Sequence, residues 1–498
     1  MTIRKLAILV LAATLVLGGV SAAAAPATAG CARLLSRGEV TSATLADGYC
    51  EVRGVLRPAT HFTVKLPVRG WTGQYVQQGC SGLCGTVPGL TLPLFGFRCP
   101  AALAKTLVVA ADDTGHTGDP ASAAPPTWGA DPRARAEFGL TSEHRLRRAA
   151  DALMVAYYGH GPAYRYFDGC STGGRQGLLL AQRFPADFDG VLAGAPASNL
   201  APLALLQAWL AVRNVDAHGR QILGPEKIRP LSDAVAAACG EVIMDPRRCG
   251  FQPSSMRCPS GADRPDCLTP AQVTAVVAFY RGPDGLYNGG VPYGSELGWL
   301  GQFVVRSGSP LDGYAGRTAF NYLKYLGYPG VLPDGFDVTD VRFTKATFDR
   351  LNLVGDALYH ANDPDLAAFR AHGGKLIMYH GWADSIIPPF STVDYYRAVQ
   401  RRGGAGAYTR LYMIPAGHHC LFGPELAAPA EIGVPEFLQP LMDWVERGTA
   451  PGVLNVPTVD AGATEVLRDL DVAPFDTLAP VRPAPGSLNA GYRYVGRY

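Results

Sequence analysis

One five-residue stretch constrains this chain more than any other. Gly169-Cys170-Ser171-Thr172-Gly173 matches G-x-S-x-G. The pattern alone arises by chance, but its setting adds weight. Tyr164 to Phe167 reads as a strand, and Gly174 to Phe184 has apolar residues at helical spacing. A sharp turn from strand to helix thrusts the residue at the turn above the sheet edge. The flanking glycines leave room for that strained backbone. The helix start also directs backbone N–H groups at the same place. A serine there is placed to act as a nucleophile. The plainer reading, a strand-to-helix turn with a bystander serine, is the weaker one in this context.

The rest of the chain extends the same pattern. Thr60 to Val76 alternates in a strand-like way, and Leu107 to Ala111 is a short apolar run of the kind that forms a buried strand. Arg145 to Tyr158 has helical spacing, and Gly190 to Ala193 is another short strand. Strand, helix, strand in this order predicts a parallel sheet covered by helices. The texture changes after Ala197. Residues 198–365 mix helices with long Gly- and Pro-rich connections. One helix is expected from Thr269 to Tyr280, with Thr269 as its cap and Pro270 in its first turn. Sheet-like runs then resume at Leu376 to Tyr379 and Arg410 to Ile414. An amphipathic helix follows from Phe437 to Arg447, before Gly448. The tail from Ala479 to Tyr498, rich in Pro, Gly and Tyr, reads as irregular and packed on the surface. There is no internal repeat. The expected class is α/β: one domain of residues 31–197 and 366–498 with a mostly parallel sheet, interrupted by an inserted lid domain, 198–365. Segments of this kind carry function on a rigid scaffold.

Composition narrows the setting. Charged residues make up 17% of the 498, and the formal net charge is +2. That balance gives no reason to expect nucleic acid or an acidic membrane as partner. At the N-terminus, Arg4 and Lys5 precede an apolar run from Leu6 to Val20, then small residues up to Gly30. Residues 1–30 therefore read as a secretory signal peptide, and the protein as secreted or periplasmic. No other stretch is long and apolar enough to span a bilayer. Eleven cysteines fit an oxidising compartment, and their odd number leaves at least one thiol unpaired. Cys80 and Cys84 have C-x₃-C spacing without a second Cys or His pair, so no structural zinc is expected.

A serine hydroxyl is a poor nucleophile at neutral pH. It needs a histidine base, and the histidine needs a carboxylate to fix its tautomer and balance its charge. When the serine sits at such an elbow, the chain order is Ser, then Asp or Glu, then His. Asp384 lies just past the strand Leu376 to Tyr379, and His419 just past the strand ending near Ile414. Ligands bind at such strand ends in open α/β sheets. His418 competes with His419 as base, but Cys420 favours His419. Cys170 precedes Ser171 and Cys420 follows His419. A disulfide holds its Cα atoms within roughly 4.4–6.8 Å, which is compatible with a Ser–His hydrogen bond. One bridge could staple nucleophile to base; two ordinary buried thiols is the other reading.

At these residues the chain resembles the tannase and feruloyl esterase family, which includes hydrolases of mono(hydroxyethyl) terephthalate. The resemblance covers nearly the whole mature chain. It is carried by Trp71-Thr72-Gly73, the Gly79–Gly85 loop, Asp113-Thr114-Gly115-His116 and Tyr166 through Gly177. Further on it is carried by Tyr379-His380-Gly381-Trp382-Ala383-Asp384, His419-Cys420 and Trp444-Val445-Glu446-Arg447-Gly448. It implies an α/β-hydrolase core, a triad of Ser171, Asp384 and His419, and a Cys170–Cys420 disulfide. It also implies an oxyanion hole of the Thr172 and Gly82 amides, and pairing of Cys31 with Cys50, Cys239 with Cys249 and Cys258 with Cys267. By the same resemblance the substrate is a small ester of an aromatic acid, hydroxycinnamoyl or galloyl in type, and no cofactor is needed.

The chain departs from the family in three places. Cys80 and Cys84 surround the oxyanion loop, and either could pair with Cys99, so the odd thiol is one of these three. Cys239 and Cys249 enclose only Glu241 and Asp245 as acids. Calcium wants about six to eight oxygens, so no calcium or other metal site is expected. No lid arginine is clearly placed to hold a terephthalate carboxylate; Arg317 is the nearest.

Ser81, Trp382 and Ile387 are candidates for the substrate pocket, with core packing the rival for Trp382 and Ile387. The tyrosine-rich stretch Tyr314 to Tyr328 also faces the substrate or simply packs. His116 and His380 read as hydrogen-bonded structural histidines, and Arg175 as half of a structural salt bridge. The rivals to an aromatic-acid esterase are a hydrolase of other aryl esters such as terephthalate monoesters, a peptidase or lipase with the same triad, and a non-catalytic binding protein of the same fold.

Overall fold

The computed structural model describes residues 27–89, 99–119, 124–423, 431–433, 435–460, 465–476 and 483–489. All but the last four positions of the expected signal peptide, and most of the Pro- and Tyr-rich tail, lie outside the described residues.

The main sheet has nine strands: β1 (Val40–Ala46), β2 (Tyr49–Leu56), β3 (Thr60–Pro67), β4 (Gln74–Gln78), β5 (Val108–Asp112), β6 (Tyr164–Cys170), β7 (Gly190–Gly194), β8 (Lys375–Gly381) and β9 (Thr409–Ile414). Their order is β1-β2-β3-β5-β4-β6-β7-β8-β9. From β5 to β9 every pairing is parallel, while β1, β2, β3 and β5 pair antiparallel. This is the expected α/β-hydrolase arrangement. A smaller antiparallel sheet of β10 (Glu431–Gly433), β11 (Leu454–Asp460) and β12 (Val466–Val472) is separate in its pairing but shares a core with β9 through Val456 and Val472.

Strand periodicity sorts side chains between the two faces. On β6 and β8, Phe167, Leu376 and Met378 join one core with the helices Ser142–Tyr158 and Thr172–Arg183. Tyr166, Ile377 and Tyr379 join the other, against the helix Leu438–Arg447. A parallel sheet covered on both faces needs continuous apolar runs, which explains why Leu107–Ala111 was readable from sequence.

Two expectations need correction. The alternating run Thr60–Val76 is two strands, β3 and β4, which do not pair with each other. The break falls where Gly70 and Gly73 take positive φ of 71° and 88°. The hairpin of β1 and β2 was not anticipated. Its turn is Asp47-Gly48, with φ of 51° and 83°, and Asp-Gly between strands is a hairpin signal.

Between β7 and β8 the chain builds a second apolar core from Ala197 to Tyr359, around the helices Leu200–Arg213, Ile228–Cys239, Pro270–Arg281, Tyr314–Tyr325 and Lys345–Val354. Thr269 caps its helix in a full capping box with Gln272. This core also takes in Leu83, Phe138, Ile386 and Ile387 from the sheet domain. The helical segment thus rests on the loops at the C-terminal ends of the parallel strands.

Candidate active site

The strand β6 ends at Cys170 and the helix begins at Thr172, leaving Ser171 alone at the turn with φ 65° and ψ −121°. Small residues permit this. A Cβ on Gly169 would meet the Gly173 carbonyl carbon at 2.6 Å, and one on Gly174 the Gly194 oxygen at 2.2 Å. The helix starts two residues earlier than its apolar pattern indicated; its first turn holds Gly173, close to the Gly79–Cys80 backbone, and Gly174, close to the end of β7.

His419 and Asp384 come together from the ends of β9 and β8. His419 Nδ1 lies 2.7 Å from Asp384 Oδ2. The aspartate can only accept, so Nδ1 carries the proton and Nε2 is left as a base. Asp384 Oδ1 accepts from the Ile386 and Ile387 amides at 2.9 and 3.0 Å. Burial opposes ionisation of Asp384, yet the His419 charge and the hydrogen bonds from His380 and His419 outweigh it. They hold the carboxyl well below the usual range. His418 instead lines a separate cavity with Thr458 and Arg468 of the small sheet.

A disulfide joins Cys170 to Cys420, with Cα atoms 5.9 Å apart. It ties the residue before Ser171 to the residue after His419. Cys31–Cys50, Cys239–Cys249 and Cys258–Cys267 are also bonded. Cys80 and Cys84 pair with each other, and neither takes Cys99, which is free and buried. The pairing closes a five-residue loop on itself.

Ser171 opens on a cleft. Gly82, Leu83 and Thr172 line one side, Leu200, Ala204 and Gln207 another, and Tyr314, Tyr322, Ile386 and Ile387 close it. Among the described residues lining it, none is charged. Among the described residues, the amides of Gly82 and Thr172 make no hydrogen bond. Thr172 Oγ1 donates to the Gly82 carbonyl, so the two free donors are fixed relative to each other. The loop carrying Gly82 is held from behind. The Cys80 amide donates to Gln176 Oε1 at 3.0 Å, and Gln176 Nε2 donates to Glu143 Oε1 at 2.7 Å. Burial pushes the Glu143 carboxyl up to about 7.

His116 donates through Nε2 to the Leu83 carbonyl at 2.9 Å and stacks on Trp128. Burial lowers its basicity. It supports the loop and lies outside the cleft lining.

Four sequence candidates fall outside the roles considered for them. Trp382 faces the sheet core, against Phe390 and Phe475, because its side chain lies on the side away from the cleft. Ser81 is exposed and absent from the cleft lining; its carbonyl accepts from the Cys84 amide. Arg175 is fully buried, but among the described residues it forms no ion pair within salt-bridge distance. Its guanidinium donates to the carbonyls of Phe138, Gly139 and Tyr359, and burial lowers its pKa to about 10. Arg317 turns to the Asp312 carbonyl and is not part of the cleft lining. Ile387 does line the cleft, as do Tyr314 and Tyr322 from the tyrosine-rich stretch.

Sequence reasoning missed the groups that grip the Asp384 loop and the helix Phe390–Arg401 that follows it. Gln302 Nε2 donates to Ser385 Oγ at 2.8 Å, and Asn288 Nδ2 to Asp394 Oδ2 at 2.9 Å. These are long-range contacts from the helical segment, and no local pattern announces them.

The sheet order, the serine at a strained strand-to-helix elbow and the hydrogen-bonded histidine and aspartate define a hydrolase of the α/β class. Comparison with known proteins narrows this. The family model for tannase and feruloyl esterase matches residues 42–482, and the chain belongs to that family of carboxylic-ester hydrolases. It is 31% identical to mono(2-hydroxyethyl) terephthalate hydrolase of Piscinibacter sakaiensis, over 94% of this chain and 85% of that one. It is 28% identical to feruloyl esterase B of Aspergillus niger, over 80% of this chain and 77% of that one. The crystal structure of feruloyl esterase B from Aspergillus oryzae shares the fold with a TM-score of 0.74 at 21% identity, covering 90% of this chain and 96% of that one. Tannin acyl hydrolase from Aspergillus niger does so with a TM-score of 0.67 at 18% identity, covering 92% of each chain.

Proposed function

We propose that this protein is a secreted serine esterase that hydrolyses esters of aromatic acids of the hydroxycinnamoyl or galloyl type. Ser171 attacks the ester carbonyl while His419 Nε2 takes its proton. Asp384 holds the His419 ring and balances the imidazolium. The Gly82 and Thr172 amides receive the negative oxygen of the tetrahedral intermediate, each such donor being worth roughly 2.7–4 kcal/mol of barrier. His419 then protonates the leaving alcohol. A water, deprotonated by His419, hydrolyses the acyl-enzyme. The helical segment acts as the lid over this site.

The observation that carries the reading is the 2.7 Å contact of His419 Nδ1 with Asp384 Oδ2, together with a serine at an elbow that opens on a cleft with no charged residue among its described lining. An uncharged lining fits a neutral aromatic acyl group better than the carboxylate of a terephthalate monoester, because a buried charge needs a partner. Secretion is supported by the signal-like N-terminus and five disulfides. The test is a hydrolysis screen over methyl ferulate, methyl gallate, mono(2-hydroxyethyl) terephthalate, a long-chain triglyceride and a peptide anilide, with Ser171→Ala as control. Preferred turnover of ferulate or gallate, lost in S171A, is expected. Preference for the terephthalate monoester, triglyceride or anilide overturns the substrate reading. Full activity in S171A overturns the mechanism.

A further inference from the structure

We infer that His380 is a positioning residue: it holds Asp384 ionised and aimed at His419, and ties that aspartate to the cleft wall. The inference rests on the triad reading above.

His380 lies on β8, fully buried, four residues before Asp384. Its Nε2 is 3.1 Å from Asp384 Oδ2 and 2.8 Å from the Ile387 carbonyl. A carbonyl oxygen can only accept, so Nε2 carries the proton and shares it between the two. Its Nδ1 lies 2.8 Å from Thr392 Oγ1 and accepts from that hydroxyl. Thr392 is fully buried on the helix Phe390–Arg401. The orientation of the His380 ring is thus set from the helix side by Thr392.

The consequence for Asp384 is a complete donor set. Oδ1 receives the Ile386 and Ile387 amides, and Oδ2 receives His419 Nδ1 and His380 Nε2. The carboxylate has no solvent exposure, so these four donors replace its hydration. A buried charge that loses one is left with an unmet acceptor. Without His380, Oδ2 would have only the His419 ring, and the carboxyl could rotate about its remaining contacts. The Ile387 carbonyl would lose its donor as well. Ile387 lines the cleft beside Ser171, so one imidazole fixes both the triad acid and a wall of the acyl site. A histidine that only fills the core requires nothing of its two ring nitrogens.

The test separates these roles by side-chain chemistry. His380→Leu keeps the bulk and removes all three hydrogen bonds. His380→Gln offers an amide donor to Asp384 and a carbonyl acceptor to Thr392. Thr392→Val removes only the hydroxyl. Kinetics use a neutral aryl ester turned over by the wild type, with a fluorophosphonate to time Ser171 labelling. In H380L, kcat and the labelling rate are expected to fall about 100-fold, the scale of a 1 Å misplacement, with KM within about threefold. H380Q should recover to within about tenfold of wild type, and T392V should lie between H380Q and wild type. Wild-type kcat in H380L overturns the inference, as does an H380Q variant that folds with the wild-type Tm yet is as slow as H380L. Should H380L fail to fold, T392V and H380Q decide: unchanged labelling in T392V together with no advantage of H380Q over His380→Asn overturns it. Asp384→Asn is the control on the underlying reading. If D384N keeps full activity, the triad assignment itself fails, whereas an inactive D384N beside an active H380L removes only the role of His380.

Discussion

Ser171 occupies a backbone region that costs a non-glycine residue about 1–3 kcal/mol, and its neighbours leave it no alternative. Its amide donates to the Gly194 carbonyl at 2.9 Å, and its own carbonyl accepts from the Arg175 and Ala197 amides at 3.0 and 3.1 Å. Strain held this way serves to present the hydroxyl. Ser171→Gly is therefore expected to abolish hydrolysis while raising stability by about 1 kcal/mol, read by thermal unfolding. Ser171→Ala should abolish hydrolysis without that gain, since alanine is strained there too. Asp384→Asn should lower kcat by roughly 10⁴ through the wrong histidine tautomer, with KM little changed; steady-state kinetics on an aryl ester checks it. The positions of Ser171, Asp384 and His419 were legible in sequence because each follows a strand, and a parallel sheet gathers the ends of its strands at one edge. Trp382 and Ser81 were misplaced because sequence reveals which loop a residue occupies, not the direction of its side chain. Gln302 and Asn288 were invisible, since their partners lie 83 and 106 positions away.

At the scale of elements, the Cys170–Cys420 bridge closes 250 residues of chain. Chain entropy alone assigns such a bridge up to about 5 kcal/mol. It also secures two consecutive left-handed residues, Cys420 and Leu421, with φ of 51° and 64°. A Cys170→Ala, Cys420→Ala double variant should lose both Tm and turnover; unchanged kcat would show that the bridge has no part in aligning the base. The turn Glu296–Trp299 in the helical segment gives a pH-dependent case. Glu296 is fully buried; its Oε1 accepts from Tyr280 Oη and the Gly294 amide, while Oε2 has no partner among the described residues. Burial pushes its carboxyl from 4.5 up to about 7. Between those values the unfolded chain releases a proton that the folded chain keeps, so stability falls as pH rises through this window. Glu296→Gln should raise Tm at pH 8, and the gain should shrink toward zero at pH 5, as thermal melts at the two pH values would show. The segment was readable as an inserted lid containing helices, yet the side chains on which it seats were not. Its seating depends on which apolar faces meet, and Leu83, Phe138 and the pair Ile386-Ile387 come from three separate segments of the sheet domain.

Across the whole molecule, the cleft is formed jointly by the strand-end loops and the helices Leu200–Arg213 and Tyr314–Tyr325. Its size belongs to neither part alone. Ala204→Trp, filling the cleft opposite Ser171, should lower kcat/KM for a bulky aryl ester about tenfold or more, on the scale set by lost pocket volume. It should leave the corresponding acetate ester within a few-fold; equal losses on both would mean the acyl group lies elsewhere. The cysteines also operate at this scale. Ten are consumed in five bonds, and Cys99 remains, sealed at zero exposure with its Sγ directed toward Gln439 Oε1. An alkylating dye can reach it only when the surrounding structure opens. The native enzyme thus carries its own single-site clock: the rate at which that one sulfur takes up label reports how often the fold breathes, without a reporter having to be engineered.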